Sequence, residues 1–223
     1  MNVAFVLRCD GRKTYIERTV QSVRDHVKGI HFAYGVIVDD SGDPEYAEWL
    51  DTTFPELECL HHPERLGLGG CFQSALETIV ATDADYAFMV EDDTPLLGDI
   101  SLTDMIDVLN ANQSLAQLML QRPPFNTEEV AAGGVYQLTP NDFAECSDGK
   151  YTWVEHFRHY GFQPHLVKRH VIEYILTNAT NFLELGVTEP LKAAGYNFGY
   201  WGGINDPPLC EHAGQMRSSG YSW

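Results

Sequence analysis

The sequence predicts an α/β domain built on a mostly parallel central sheet with helices on both faces. Three observations lead there. Short apolar runs without polar alternation, such as residues 3–7 (VAFVL), 86–90 (YAFMV) and 115–120 (LAQLML), read as strands buried on both faces. Stretches with apolar residues at helical spacing lie between them, which is the β-α-β alternation of a parallel sheet. At 223 residues and 44% apolar content, the chain suits one domain of ordinary size.

Each element has its own signal. After the first strand, Thr14 and Glu17 form a Thr-x-x-Glu capping box, followed by Ile16, Val20, Val23 and Val27 at helical spacing. Residues 34–40 (YGVIVDD) read as a second buried strand, closed by the turn signal SGD. Residues 57–62 (LECLHH) read as a third. Phe72, Leu76, Ile79 and Val80 share one face of a helix over 69–80. Residues 86–90 form the fourth strand. Ser101-x-x-Asp104 caps the next helix, with Met105, Ile106 and Leu109 inward, and residues 115–120 are the fifth strand.

The second half is less regular. Residues 133–140 (GGVYQLTP) and 161–169 (GFQPHLVKR) read as strands, and the segment between them as loop-rich. Residues 169–176 and 185–194 read as short helices, the latter with Gly195 as its C-cap, and residues 196–201 (YNFGYW) as a strand before a Gly/Pro-rich loop. No repeat or long linker divides the chain, so a single domain over 1–223 is expected.

Composition narrows the function. Thirty-two acids against fourteen bases give a net charge of −18. Such a chain repels phosphate backbones and anionic lipid, so bare nucleic acid is not an expected partner. No run of 18 apolar residues predicts a membrane span. The N-terminal segment reads as a strand, not a secretory leader. Five cysteines without a CxxC pair suggest reduced thiols and a cytoplasmic location.

Two strands end in clustered acids: Asp39–Asp40, and Glu91–Asp92–Asp93. A doubled acid after one strand is most often a turn or cap. Two on one sheet edge, where open α/β sheets bind ligands, suggest more. Adjacent carboxylates repel unless a cation neutralises them, and Mg²⁺ or Mn²⁺ shares its shell with substrate phosphates. The acids therefore suggest a metal–diphosphate site.

The order and spacing of FVLRCDGRKTYIERTVQSV, VIVDDSGD, HPERLGLGGCFQSAL, YAFMVEDD and EHAG resemble a nucleotide-sugar glycosyltransferase of the GT-A fold, similar to the inverting family 2. The resemblance covers most of the chain. It implies a donor half over 1–122 and an acceptor half over 123–223. EDD resembles the DxD motif, so Asp93 would hold Mn²⁺ or Mg²⁺, with Glu91 and Asp92 at the metal shell or ribose. Asp39 would meet the nucleobase or ribose with Asp40 near it, and Arg8 would line the base pocket. Gly67, Gly69 and Gly70 would let the backbone approach the donor, and Arg65 could grip the diphosphate or base. Both have a plainer reading, as a tight turn and a solvated arginine.

Two later elements complete the resemblance. A general base is expected in NFLELGVTEPLKAAGY. Glu184, eleven residues before Gly195, fits the pattern, and Glu189 is its rival; the usual Glu-Asp pair is absent. His212 would complete the metal shell. The implied reaction is metal-dependent transfer of a sugar, a UDP-sugar foremost, to an acceptor hydroxyl with inversion. Trp153, His156, Phe157, His159, Tyr160, Tyr200 and Trp201 offer aromatic faces for an acceptor, though each could equally be core. His156-x-x-His159 would bind metal only if helical. A sugar nucleotidyltransferase is the rival enzyme, but LRCDGRKTY lacks its Gly-rich phosphate loop. A non-catalytic nucleotide- and metal-binding module is the other alternative.

Overall fold

The computed structural model describes residues 1–214. Nine strands form one sheet: β1 (Val3–Cys9), β3 (Tyr34–Asp39), β4 (Glu58–His61), β5 (Tyr86–Glu91), β7 (Leu115–Leu120), β8 (Phe143–Ser147), β9 (Thr152–His156), β10 (His165–Lys168) and β11 (Asn197–Trp201). Their order is β4-β3-β1-β5-β10-β7-β11-β9-β8. β4, β3, β1 and β5 are parallel, as are β7 and β11, while β10 runs antiparallel to both β5 and β7. β9 runs against β11 and β8. The short strands β2 (Val27–Lys28) and β6 (Ile100–Ser101) pair separately. No helix among the described residues is long and apolar enough to cross a membrane.

Strand periodicity sorts the core into two layers. Val3, Phe5 and Leu7 face α1 (Lys13–His26), α2 (Pro44–Thr53) and α4 (Leu102–Ala111), packing on Ile16, Leu50 and Met105. Ala4 and Val6 face α3 (Gly67–Ala81), α7 (Arg169–Asn178) and α8 (Glu184–Ala193), packing on Phe72, Ile172 and Val187. Both layers are buried, which explains the continuous apolar strand runs.

Four local expectations are corrected. The Thr14–Glu17 capping box does not form: α1 begins at Lys13, its N-cap is Arg12, and no side chain caps it. α2 was not expected. Asp43 caps it by accepting from the Glu45 and Tyr46 amides, and Pro44 occupies its first position. Residues 133–140 are not a strand: they follow α5 (Thr127–Ala132) and hold the short α6 (Val135–Leu138). The segment expected to be loop-rich is the β8–β9 hairpin, turning at Gly149 with φ +88°.

Candidate active site at the carboxyl edge of the sheet

The chain runs from β1 outward to β3 and β4, then crosses to β5 on the other side of β1. The carboxyl ends of these four parallel strands flank that switch point, where open sheets leave a crevice. The ladder continues past the strand ends. The amides of Asp40, Asp92 and His62 donate to the carbonyls of Cys9, Arg8 and Asp39, each at 2.9 Å. The acidic segments are therefore held rigidly at the edge.

The acidic turn after β5 is fixed from several sides. The Thr19 hydroxyl donates to the Asp92 carbonyl at 2.6 Å, and the Ala213 amide donates to the Asp93 carbonyl at 2.8 Å. Glu91, Asp93 and His212 each present one ligand atom within 4.8 Å of the others. His212 Nδ1 lies 3.0 Å from the Gly214 carbonyl. An Nδ1–H donated there leaves the Nε2 lone pair for a metal. Phe125 packs on the imidazole with ring centroids 4.1 Å apart. Two carboxylates and an imidazole form a donor set that suits a divalent ion such as Mn²⁺.

Arg12, which the sequence reading missed, supplies charge of its own. It donates to both Asp92 oxygens, to Asp93 Oδ2 at 2.7 Å, and lies 3.4 Å from Asp10. Its signal is its place just beyond β1 in a chain poor in bases. Gly214 closes over this ion pair: a Cβ there would fall 2.0 Å from Asp93 Oδ2. Burial pushes the Asp92 carboxyl up to about 7; Arg12 opposes the shift and Asp93 adds to it. Burial likewise raises the Glu91 pKa, with Arg8 working against the shift and Asp93 and Glu184 adding to it.

Arg8 does not share a face with Asp39. It lies on the α3 side of β1, between the Phe72 and Phe162 rings, and donates to Glu91 at 3.2 Å. Asp39 continues the other face of β3, beside Cys9 in register. The period of two separates them. Arg8 is a buried counter-charge to Glu91, on the opposite face of the sheet from Asp39.

Asp39 accepts from the Ser41 amide and lies 3.0 Å from His61 Nδ1. Asp40 is fully buried. Its oxygens accept from the Leu66 and Gly67 amides, and His62 lies at 2.9 Å. Its visible work is to fix the entry to α3, behind the crevice. Gly67 has φ +75°, and Arg65 bridges the ends of β1 and β3 by donating to the Asp10 and Ser41 carbonyls. Gly69 lies within α3 against Phe182 and Leu183.

The two candidate bases separate clearly. Glu184 opens α8, half-buried, and the Phe162 amide donates to its carboxylate. Burial raises its pKa, opposed by that hydrogen bond and by Arg8 and Arg122. Glu189 is 67% exposed and pairs with Lys192 at 3.5 Å. Most of the expected acceptor aromatics are core: Trp153, His156, Tyr160 and Tyr200 are all buried, while Phe157 is exposed. His156 ends a strand and His159 lies beyond it, so they do not form a helical pair.

The mostly parallel sheet with helices on both faces is a GT-A-like fold. Among solved structures that share it is S. aureus TarS. TarS 1–349 in complex with UDP-GlcNAc aligns with all of this chain at a TM-score of 0.65 and 13% identity; the chain covers 62% of it. TarS 1–349 in complex with UDP aligns with 95% of the chain at 0.60 and 13%, with 60% of that structure covered. The crystal structure of TarS aligns with 96% at 0.62 and 14%, with 37% covered. The chain thus spans less than two thirds of these proteins. No protein-family model matches the sequence, and no curated protein matches it.

Proposed function

We propose that this protein is a metal-dependent glycosyltransferase that moves a sugar from a nucleoside diphosphate, a UDP-sugar, to an acceptor hydroxyl with inversion. The observation that carries the reading is the grouping of Glu91, Asp93 and His212 on the edge where Glu184 also lies. The fold likeness to TarS bound to UDP-GlcNAc and to UDP supports the donor class.

Glu91, Asp93 and His212 would hold Mn²⁺ or Mg²⁺. When bound, the ion neutralises charge on the departing diphosphate. Asp39 offers a fixed carboxylate to base or ribose, and Arg65 stands at the rim with donors to spare for the diphosphate. Glu184 takes the proton from the acceptor hydroxyl as its oxygen bonds to the anomeric carbon and the bond to the diphosphate breaks. A raised pKa makes it a stronger base than an ordinary glutamate. Attack opposite the leaving group inverts that centre.

The test is incubation of the full chain and Mn²⁺ with a panel of nucleoside-diphosphate sugars. Slow donor hydrolysis releasing the nucleoside diphosphate is expected, and Asp93→Ala abolishes both it and Mn²⁺-dependent UDP binding without lowering the fold's cooperativity. Pyrophosphate release from a nucleoside triphosphate and a sugar phosphate would instead mark a nucleotidyltransferase. Failure of calorimetry to detect Mn²⁺-dependent UDP binding by the parent would overturn the reading.

A further inference from the structure

A second cluster of metal-binding groups lies at the outer edge of the sheet. Cys59 and His61 alternate along β4, so they share a face. α2 packs over that strand and brings Asp51 to them. Cys59, His61 and Asp51 each offer one ligand atom within 4.8 Å of the others. His61 Nε2 is 3.1 Å from Asp51 Oδ1, and His61 Nδ1 is 3.0 Å from Asp39 Oδ2.

We propose that Asp51, Cys59 and His61 form a binding site for Zn²⁺ or a similar borderline transition-metal ion, distinct from the group of Glu91, Asp93 and His212. A thiolate, an imidazole and a carboxylate are the donor types zinc takes. Zn–S and Zn–N bonds of about 2.3 and 2.0 Å place tetrahedral ligand atoms roughly 3.3–3.8 Å apart, within reach of small side-chain rotations here. The buried Asp39 is an independent mark of such a site. A metal-bound histidine characteristically donates its other ring N–H to a carboxylate, and His61 already has that partner. For the ion to bind, the Cys59 thiol proton and the Nε2 proton that His61 donates to Asp51 would both leave to solvent, which frees the thiolate, the Nε2 lone pair and the Asp51 carboxylate for the ion while Nδ1–H stays on Asp39. Asp51 is 62% exposed, so the fourth position opens to water.

Cobalt distinguishes this site from the acidic one, because Glu91, Asp93 and His212 include no sulfur. Titrating the full chain with Co²⁺ should give one equivalent of a near-ultraviolet thiolate-to-cobalt charge-transfer band that added Zn²⁺ bleaches. Cys59→Ser should remove the band, and Asp51→Asn should weaken Co²⁺ binding at least about tenfold. Asp93→Ala should keep it. Absence of the band in the parent overturns the site, as does a band that survives Cys59→Ser or vanishes in Asp93→Ala. Asp51 is exposed, so its variant decides the matter even if Cys59→Ser melts early.

Discussion

Glu184 and Glu189 lie five residues apart on one helix, a rotation that points them to different faces. Only Glu184 adjoins the acids. Glu184→Gln should retain the fold and UDP binding but lose transfer by roughly 10²–10⁴-fold. Glu189→Gln should stay within a few-fold of the parent. Measured turnover in the reverse order would hand the role to Glu189. Asp92 gives a pH signature. Its carboxyl is pushed up to about 7, while in the unfolded chain it would titrate near about 3.9. Between those values the folded chain binds more protons than the unfolded one, so stability falls as pH rises through the window and levels off above about 7. The net charge of −18 pushes the same way. Asp92→Asn should therefore lose less stability between pH 5 and pH 8 than the parent does; urea melts with equal losses would refute the assignment. At this scale the sequence revealed what lies side by side in the chain. Glu91, Asp92 and Asp93 are contiguous and end a buried run. Arg12 and the His61–Asp39 pair were hidden because their partners meet only when the sheet assembles.

The first turn of α3 carries glycines of two kinds. Gly67 has φ +75° with open space around it, so a side chain there is opposed by backbone strain alone. Gly69 sits in ordinary helix, where a methyl would meet Phe182 and Leu183 at 3.5 Å. Gly67→Ala should lower stability by about 1–2 kcal/mol. Gly69→Ala should leave it unchanged or raise it by up to about 1 kcal/mol. Chemical denaturation of the two variants checks the signs, and equal losses would contradict this account. Strands β1, β3, β5 and β7 were legible because burial on both faces leaves an uninterrupted apolar run. α2 was missed although Asp43-Pro44 announces it, because SGD reads equally well as a turn. The β8–β9 hairpin was missed because β8 is half-exposed and too short for Phe143, Ala144 and Cys146 to show a period of two; its Asp148-Gly149 turn was the available signal. Residues 133–140 resemble a strand in composition, and a four-residue helix leaves too few turns for a period to show.

The fold class was legible at the scale of the whole molecule because the β-α-β alternation fixes it, whereas the strand order could not be read, since β10 enters the sheet far out of sequence. That insertion has a consequence for how the chain is made. β5 and β7 are complete once residue 120 has been synthesised, yet they do not touch each other: the slot between them belongs to residues 165–168. Until that segment leaves the ribosome, each presents an open row of amides and carbonyls beside apolar side chains, the kind of edge that pairs with neighbouring chains. The segment 1–122, for all its donor-side residues, is then an unfinished sheet and not a module. Expressed alone it should aggregate or melt without cooperativity, and adding residues through 201, which supply β10 and β11, should restore a cooperative transition. A soluble 1–122 fragment that melts cooperatively in calorimetry would show that the two open edges are tolerated. Otherwise the last third of the chain is what closes the first two, and a ribosome that stalls before residue 165 releases a sticky intermediate.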